Sequence, residues 1–249
     1  MTRVLLVGET WVTAETHYKG FDYFGSVTLA SGAEPLIAAM ADQNVEIVHL
    51  AAHDAPERFP LEVGGLEPYD VVVLSDIGAN SLLLHPDTWR LGLKRPNRLK
   101  LLAQWVRDGG GLAMAGGYLS FQGFEAKAGY RRTAIEEVLP CTIDPWDDRV
   151  ETPEGFSPRV VGGDHPVLAG VERDWPDLLG YNRFSAREDA TVLATHDGDP
   201  VLAVRQVGRG RTLAWASDIG PHWCPEEFLG WDGYARMWAQ SFRWLAGAD

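Results

Sequence analysis

The sequence predicts an α/β fold: a doubly wound, mostly parallel sheet with an antiparallel extension toward the C-terminus. Three observations predict it. Four short runs, residues 4–7, 45–50, 71–74 and 111–115, are apolar throughout rather than alternating, as strands buried on both faces are. Helical patterns separate the first run from the second and the third from the fourth, which makes strand–helix–strand units. Further along, runs at 191–195, 201–207 and 211–216 are joined by short Gly-rich links, as antiparallel hairpins are.

Each element has its own signal. In the first helix, residues 33–43, Leu36, Ile37 and Met40 share a face, and Pro35 falls in the first turn, where a missing N–H is harmless. The helix at 96–108 carries Leu99, Leu102, Ala103 and Val106 at i, i+3, i+4 and i+7, and Gly109-Gly110-Gly111 stops it. A short helix at 133–139 precedes a stretch, 140–160, whose four prolines and several charges read as irregular. Gly198-Asp199 and Gly208-Arg209-Gly210-Arg211 supply the two turns of the extension. The last helix, 233–246, sets Met237, Trp238, Phe242, Trp244 and Leu245 against an apolar neighbour. No repeat or linker divides the chain, so residues 1–249 read as one domain with an irregular insertion near 140–160.

Composition narrows the classes. The chain has 249 residues, 45% hydrophobic and 23% charged, which excludes collagen, a disulfide scaffold and a wholly disordered chain. Twenty-two Lys+Arg against 35 Asp+Glu give a net charge of −13, which argues against nucleic acid or an anionic membrane surface as partner. Two cysteines, Cys141 and Cys224, fit a reduced, cytoplasmic protein. The N-terminus shows no signal-peptide pattern, and no run approaches the ~18 apolar residues of a membrane span. Ten tryptophans, several beside Gly, Pro, His or Asp, suit pocket walls and subunit interfaces, and a homo-oligomer is expected.

In an open α/β sheet, ligands bind at the carboxyl ends of the strands. Those ends carry Glu9, Trp11, His17 and Lys19 after the first run, Asp76 after the third, Tyr118 and Gln122 after the fourth, and Asp218, His222 and Trp223 after the last. Glu9, Asp76, Asp218 and His222 are the candidate catalytic residues. A carboxylate that orients an imidazole makes a general base, and Asp218 and His222 are close enough in sequence for a turn to bring them together. The ligand-binding candidates are Trp11, His17, Lys19, Gly116, Gly117, Tyr118, Gln122 and Trp223. Structural readings compete: Glu9 and Asp76 as loop caps, His17 and Lys19 in a solvated loop. No histidine pair has the spacing of a helical zinc face, and neither glycine cluster opens a helix as a phosphate loop does. No metal and no cofactor are expected.

The ordered set Gly8-Glu9-Thr10-Trp11, Lys19-Gly20-Phe21-Asp22, Asp76-Ile77-Gly78, residues 109–123, residues 165–170, residues 208–211 and residues 217–223 resembles the class I glutamine amidotransferase-like superfamily, on the branch near the trehalose-utilisation-protein-like group. The resemblance covers most of the chain. It implies a flavodoxin-like three-layer sandwich. It also implies a nucleophilic Cys in a Gly-x-Cys-x-Gly elbow with a downstream His-x-Glu. Here the matching stretch is Met114-Ala115-Gly116-Gly117-Tyr118, Gly116 stands where the Cys belongs, and no histidine is followed by x-Glu.

Three functions follow as expectations. The first is a non-thiol hydrolase or isomerase that binds or acts on a small polar, sugar-like molecule between aromatic walls, by analogy with sugar-active branches of the superfamily. The second is a ligand-sensing or oligomeric interaction protein that kept the fold and lost the chemistry. The third is a metal-dependent hydrolase using Glu9, His17, Asp76, Asp218 and His222. The missing Cys carries a direct expectation. A glutamine-analogue alkylator leaves both native cysteines unlabelled, as read by intact mass, and Gly116→Cys gains a reactive thiol.

Overall fold

The computed structural model describes residues 1–247. In chain order its first half runs β1 (Thr2–Gly8), β2 (Thr10–Lys19), β3 (Asp22–Ser31), α1 (Glu34–Met40), β4 (Val45–Ala51), α2 (Ala55–Arg58), β5 (Val71–Ser75), α3 (Ala79–Leu83), α4 (Pro86–Leu91), α5 (Arg98–Arg107) and β6 (Gly111–Ala115). The second half runs α6 (Ala134–Val138), β7 (Cys141–Ile143), β8 (Arg149–Phe156), β9 (Arg159–Val160), β10 (Leu178–Asn182), β11 (Phe184–Ala186), β12 (Thr191–His196), β13 (Asp199–Val207), β14 (Gly210–Trp215), α7 (Glu226–Leu229) and α8 (Asp232–Leu245).

Eight strands form one sheet in the order β4-β1-β5-β6-β14-β13-β12-β9. The first five are parallel, in the flavodoxin order with β1 and β5 at the switch point. The last three add antiparallel at the far edge. This is the α/β flavodoxin-like sheet with an antiparallel extension that the sequence predicts. The apolar strands β5 and β6 are buried along their whole length. Helices α1 and α8 pack together on one side; α2, α3, α5 and α6 form the other layer. Asn97 caps α5, its side chain accepting from the Lys100 N–H at 3.0 Å, and the predicted apolar stripe faces the core. On α8, Met237, Trp238, Phe242 and Leu245 are buried, whereas Trp244 is half-buried beneath Arg211.

Two stretches differ from expectation. The stretch around His17 and Lys19, read as a solvated loop, belongs to a hairpin over residues 10–31, two ten-residue strands that among the described residues pair only with each other. Its turn places Gly20 at the first central position with φ +66°, as a type II′ turn requires. Alternation of Thr, Val, Tyr and Phe with polar residues is a strand signal, and here it outweighs the Gly and charged residues that suggest a loop. Residues 140–160, expected to be irregular, hold β7, β8 and β9. Prolines sit between or within these strands, which pair in two-stranded ladders or at the sheet edge, where a missing N–H is tolerated.

One buried charge ties the second helical layer together. Arg98 is fully buried, and its guanidinium donates to the carbonyls of Leu82 at 2.5 Å, Phe59 at 3.2 Å and Ala55 at 3.3 Å. It thereby satisfies carbonyls at the ends of α2 and α3 from the first residue of α5. Arg98→Met strands the Leu82 and Phe59 carbonyls, while that of Ala55 keeps the Phe59 N–H, and the expected loss is about 3 kcal/mol. In a chain of this size that lowers Tm by about 6–12 °C, read by circular dichroism.

Candidate active site

Strands β1 and β5 end side by side, and their exits leave no space. A Cβ on Gly8 would lie 1.8 Å from the Ser75 carbonyl oxygen, so the chain turns with φ +117° there and Glu9 follows at φ +52°. This directs the Glu9 side chain inward, where it is buried and accepts from the Ser75 hydroxyl at 2.5 Å. After β5, Asp76 also has a positive φ, +43°. Its backbone N–H donates to the Ser120 hydroxyl, and its carboxylate accepts from the Leu119 N–H at 2.7 Å. After β14, Asp218 accepts from the Trp223 N–H at 3.0 Å and pairs with His222 Nδ1 at 2.8 Å. His222 has φ +129°. Three of the nine non-glycine residues with positive φ among the described residues thus surround one site, as strained backbone commonly does.

Glu9, Asp76, Asp218 and His222 all line one cavity of about 450 Å³, with Trp11, Tyr118, Leu119, Phe124 and Pro221 as its walls. Tyr118 sets its ring edge-on to His222, centroids 4.5 Å apart, and Trp223 stacks behind the imidazole at 5.0 Å. Gly117 sits between two of the acids. A Cβ there would lie 2.9 Å from Asp218 Oδ1 and 3.0 Å from Asp76 Oδ1. The carboxylates therefore share one small space.

That crowding sets the protonation states. Burial pushes the Glu9 carboxyl up to about 8, against the opposing Ser75 hydrogen bond and helped by the charges of Asp218 and Asp76. Burial raises Asp76 as well, opposed by the Leu119 N–H. Burial alone would lower the His222 imidazole, but the hydrogen bond and charge of Asp218, with Glu151 and Asp76, leave it raised. At neutral pH the site offers a protonated carboxylic acid beside a carboxylate–imidazole pair. Among the described residues, no three His, Cys, Asp or Glu side chains are grouped to hold a metal ion.

Other expected ligand residues fall elsewhere. His17 and Lys19 lie on the β2–β3 hairpin, where His17 hydrogen-bonds Ser26 at 3.1 Å and stacks on Phe24 and Lys19 lies over the same ring. Neither lines the cavity, although both were candidate ligand residues. Gln122 turns its side chain to the Arg131 N–H. Gly116 lies behind the cavity, not in it. Its N–H donates to the carbonyls of Ser217 and Trp215, and a Cβ would meet the Ala216 carbonyl oxygen at 2.1 Å. The position that faces the acids is Gly117, held by Asn182 Oδ1 at 2.9 Å. Gly116→Cys is therefore expected to destabilise the protein rather than to gain an accessible thiol. Neither native thiol lines the cavity; both are buried, and burial pushes both well above the ordinary thiol range.

Several site residues escaped the sequence reading. Glu151 accepts from the Tyr118 hydroxyl at 3.1 Å and from Trp223 Nε1 at 2.9 Å, and Arg149 covers Phe124 and Tyr118 at 4.1 and 4.6 Å. Buried Asp148 accepts from the Gln122 and Gly123 N–H groups and from Asn182 Nδ2. All three lie in or beside β8, inside the stretch expected to be irregular, and nothing local marks them for this site.

A flavodoxin-like α/β sheet with acids gathered at its carboxyl end defines the class. Over residues 3–247 the chain matches the family described as "Putative glutamine amidotransferase". It belongs to that family. Two solved structures described as cytoplasmic proteins from Salmonella typhimurium are 40% and 39% identical, each with a TM-score of 0.93; the aligned regions cover 97% and 98% of this chain and 98% and 99% of theirs. A ThuA-like protein from Bacteroides uniformis shares the fold, with a TM-score of 0.53 at 13% identity, over 98% of this chain and 91% of that one. No curated protein matches the sequence.

The raised groups give a stability test. The folded state holds the Glu9 proton between about pH 4.5 and 8 while the unfolded state has released it, so stability falls as pH rises through that window. Asp76 and His222, also raised, act in the same direction. Glu9→Gln removes the Glu9 contribution. Its Tm is expected to match the parent near pH 5 and to exceed it near pH 8.5.

Proposed function

We propose that the protein binds a small polar, sugar-like molecule at the carboxyl end of the sheet and performs acid–base chemistry on it without a thiol. One observation carries this reading: Glu9, Asp76, Asp218 and His222 converge in a single cavity beneath the aromatic walls Trp11, Tyr118 and Phe124. Aromatic faces with a few convergent polar groups suit the C–H faces and hydroxyls of a polyol. In this reading the protonated Glu9 is the general acid and Asp76 the general base. Asp218 orients His222, fixing the imidazole with Nδ1 toward the carboxylate and its other nitrogen free to meet the ligand. The reaction class is hydrolysis or isomerisation. Burial of Cys141 and Cys224 away from the cavity, and the absence of room for a side chain at 116, support chemistry that uses no cysteine. The description of the two Salmonella relatives as cytoplasmic, together with the two free thiols, supports a cytoplasmic location.

A thermal-shift screen against sugars, amino acids, nucleotides and divalent cations, with and without chelator, tests it. Ligand binding to the native state raises Tm. A sugar-class rise is expected, one that Asp76→Asn and His222→Ala abolish. Turnover of that ligand is expected to fall above about pH 8, where Glu9 loses its proton. A flat screen of a stable protein overturns the reading in favour of an interaction protein.

A further inference from the structure

The β2–β3 arm is amphipathic, and the chain does not cover its apolar side. Its register puts Val12 opposite Leu29, Ala14 opposite Val27 and Tyr18 opposite Tyr23, so these six side chains share one face. The other face is mostly polar, with Thr13 opposite Thr28, Glu15 opposite Ser26 and Lys19 opposite Asp22. The two strands pack chiefly on each other. Val27 is 71% exposed, Leu29 60% and Tyr18 77%. An isolated two-stranded hairpin is marginal in water, so an arm this long needs a third surface.

A second uncovered apolar patch adjoins the arm's root. Leu84, Trp89, Leu91 and Leu93 are exposed around α4, and the first three line a cavity of about 750 Å³ that also contains His53. His53 Nδ1 lies 3.5 Å from the Thr10 hydroxyl, and Thr10 is on the same face of the arm as Val12. The arm's root thus touches the wall of that cavity.

We infer that this surface binds a second copy of the chain: each arm lays its apolar face along the α4 cavity of the other copy, about a two-fold axis. Two observations select that occupant. The exposed apolar side chains of arm and patch together amount to on the order of 1,000 Å² per chain, enough for a stable dimer if both are covered. Arm and cavity are complementary features of one chain, so a reciprocal pair covers both at once. The apolar face runs toward the arm's root rather than being confined to its tip. The inference is independent of the proposed chemistry.

Sedimentation velocity of the full chain at micromolar concentration tests it. The expected species is a dimer. Val27→Asp and Trp89→Asp each weaken it by at least about 100-fold, giving monomers with the parent's circular dichroism, while Thr28→Asp on the polar face leaves the dimer intact. Leu29→Ser serves in place of Val27→Asp if that variant loses its fold. A monomeric parent overturns the inference, as does a dimer indifferent to both substitutions. A monomer that floats with phosphatidylcholine–phosphatidylserine vesicles, and no longer does so as Val27→Asp, overturns it in favour of a membrane contact.

Discussion

The site depends on how closely neighbouring strands end. At the carboxyl edge of the sheet the backbone leaving β1 presses against β5, and that leaving β6 presses against β14. Gly8 and Gly116 occupy the two contact points, where no Cβ fits. A chain that must turn there without a side chain emerges in a left-handed conformation, and the next residues inherit its direction. Glu9 is thus driven inward rather than toward solvent. Gly117, bound to Asn182, opens the space into which Asp76 and Asp218 point. The acids meet because backbone contacts place them, against their own repulsion.

Repulsion is then resolved by giving each acid a different partner. Asp218 has an imidazole and an amide N–H, Asp76 has one amide N–H, and Glu9 has only a hydroxyl. The acid with the weakest stabilisation of its anion, in the most buried place, keeps its proton. Environments that drive neighbouring titratable groups apart are how one pocket holds both an acid and a base at one pH.

Much of this was legible in the sequence. Unbroken apolar runs marked the parallel strands because burial on both faces leaves no polar side, and the strand ends pointed to Glu9, Asp76, Asp218 and His222. Other features were hidden for physical reasons. The arm is a strand pair whose hydrophobic face meets nothing in its own chain, so Lys19, Gly20 and Asp22 at its tip resemble a loop. Glu151 and Asp148 reach the site only through β8's pairing with β10, a contact that no local pattern encodes. Position 116 was misread because an aligned motif gives order along the chain but not which of two adjacent glycines faces the pocket.

The strained backbone at Glu9, Asp76 and His222 carries an energetic cost. Conformations of that kind cost on the order of 1–3 kcal/mol at each non-glycine residue. Glycine or asparagine would relieve it at any of the three through one amino-acid exchange. Holding two carboxylic acids and an imidazole in these conformations therefore costs the fold stability that such exchanges would return.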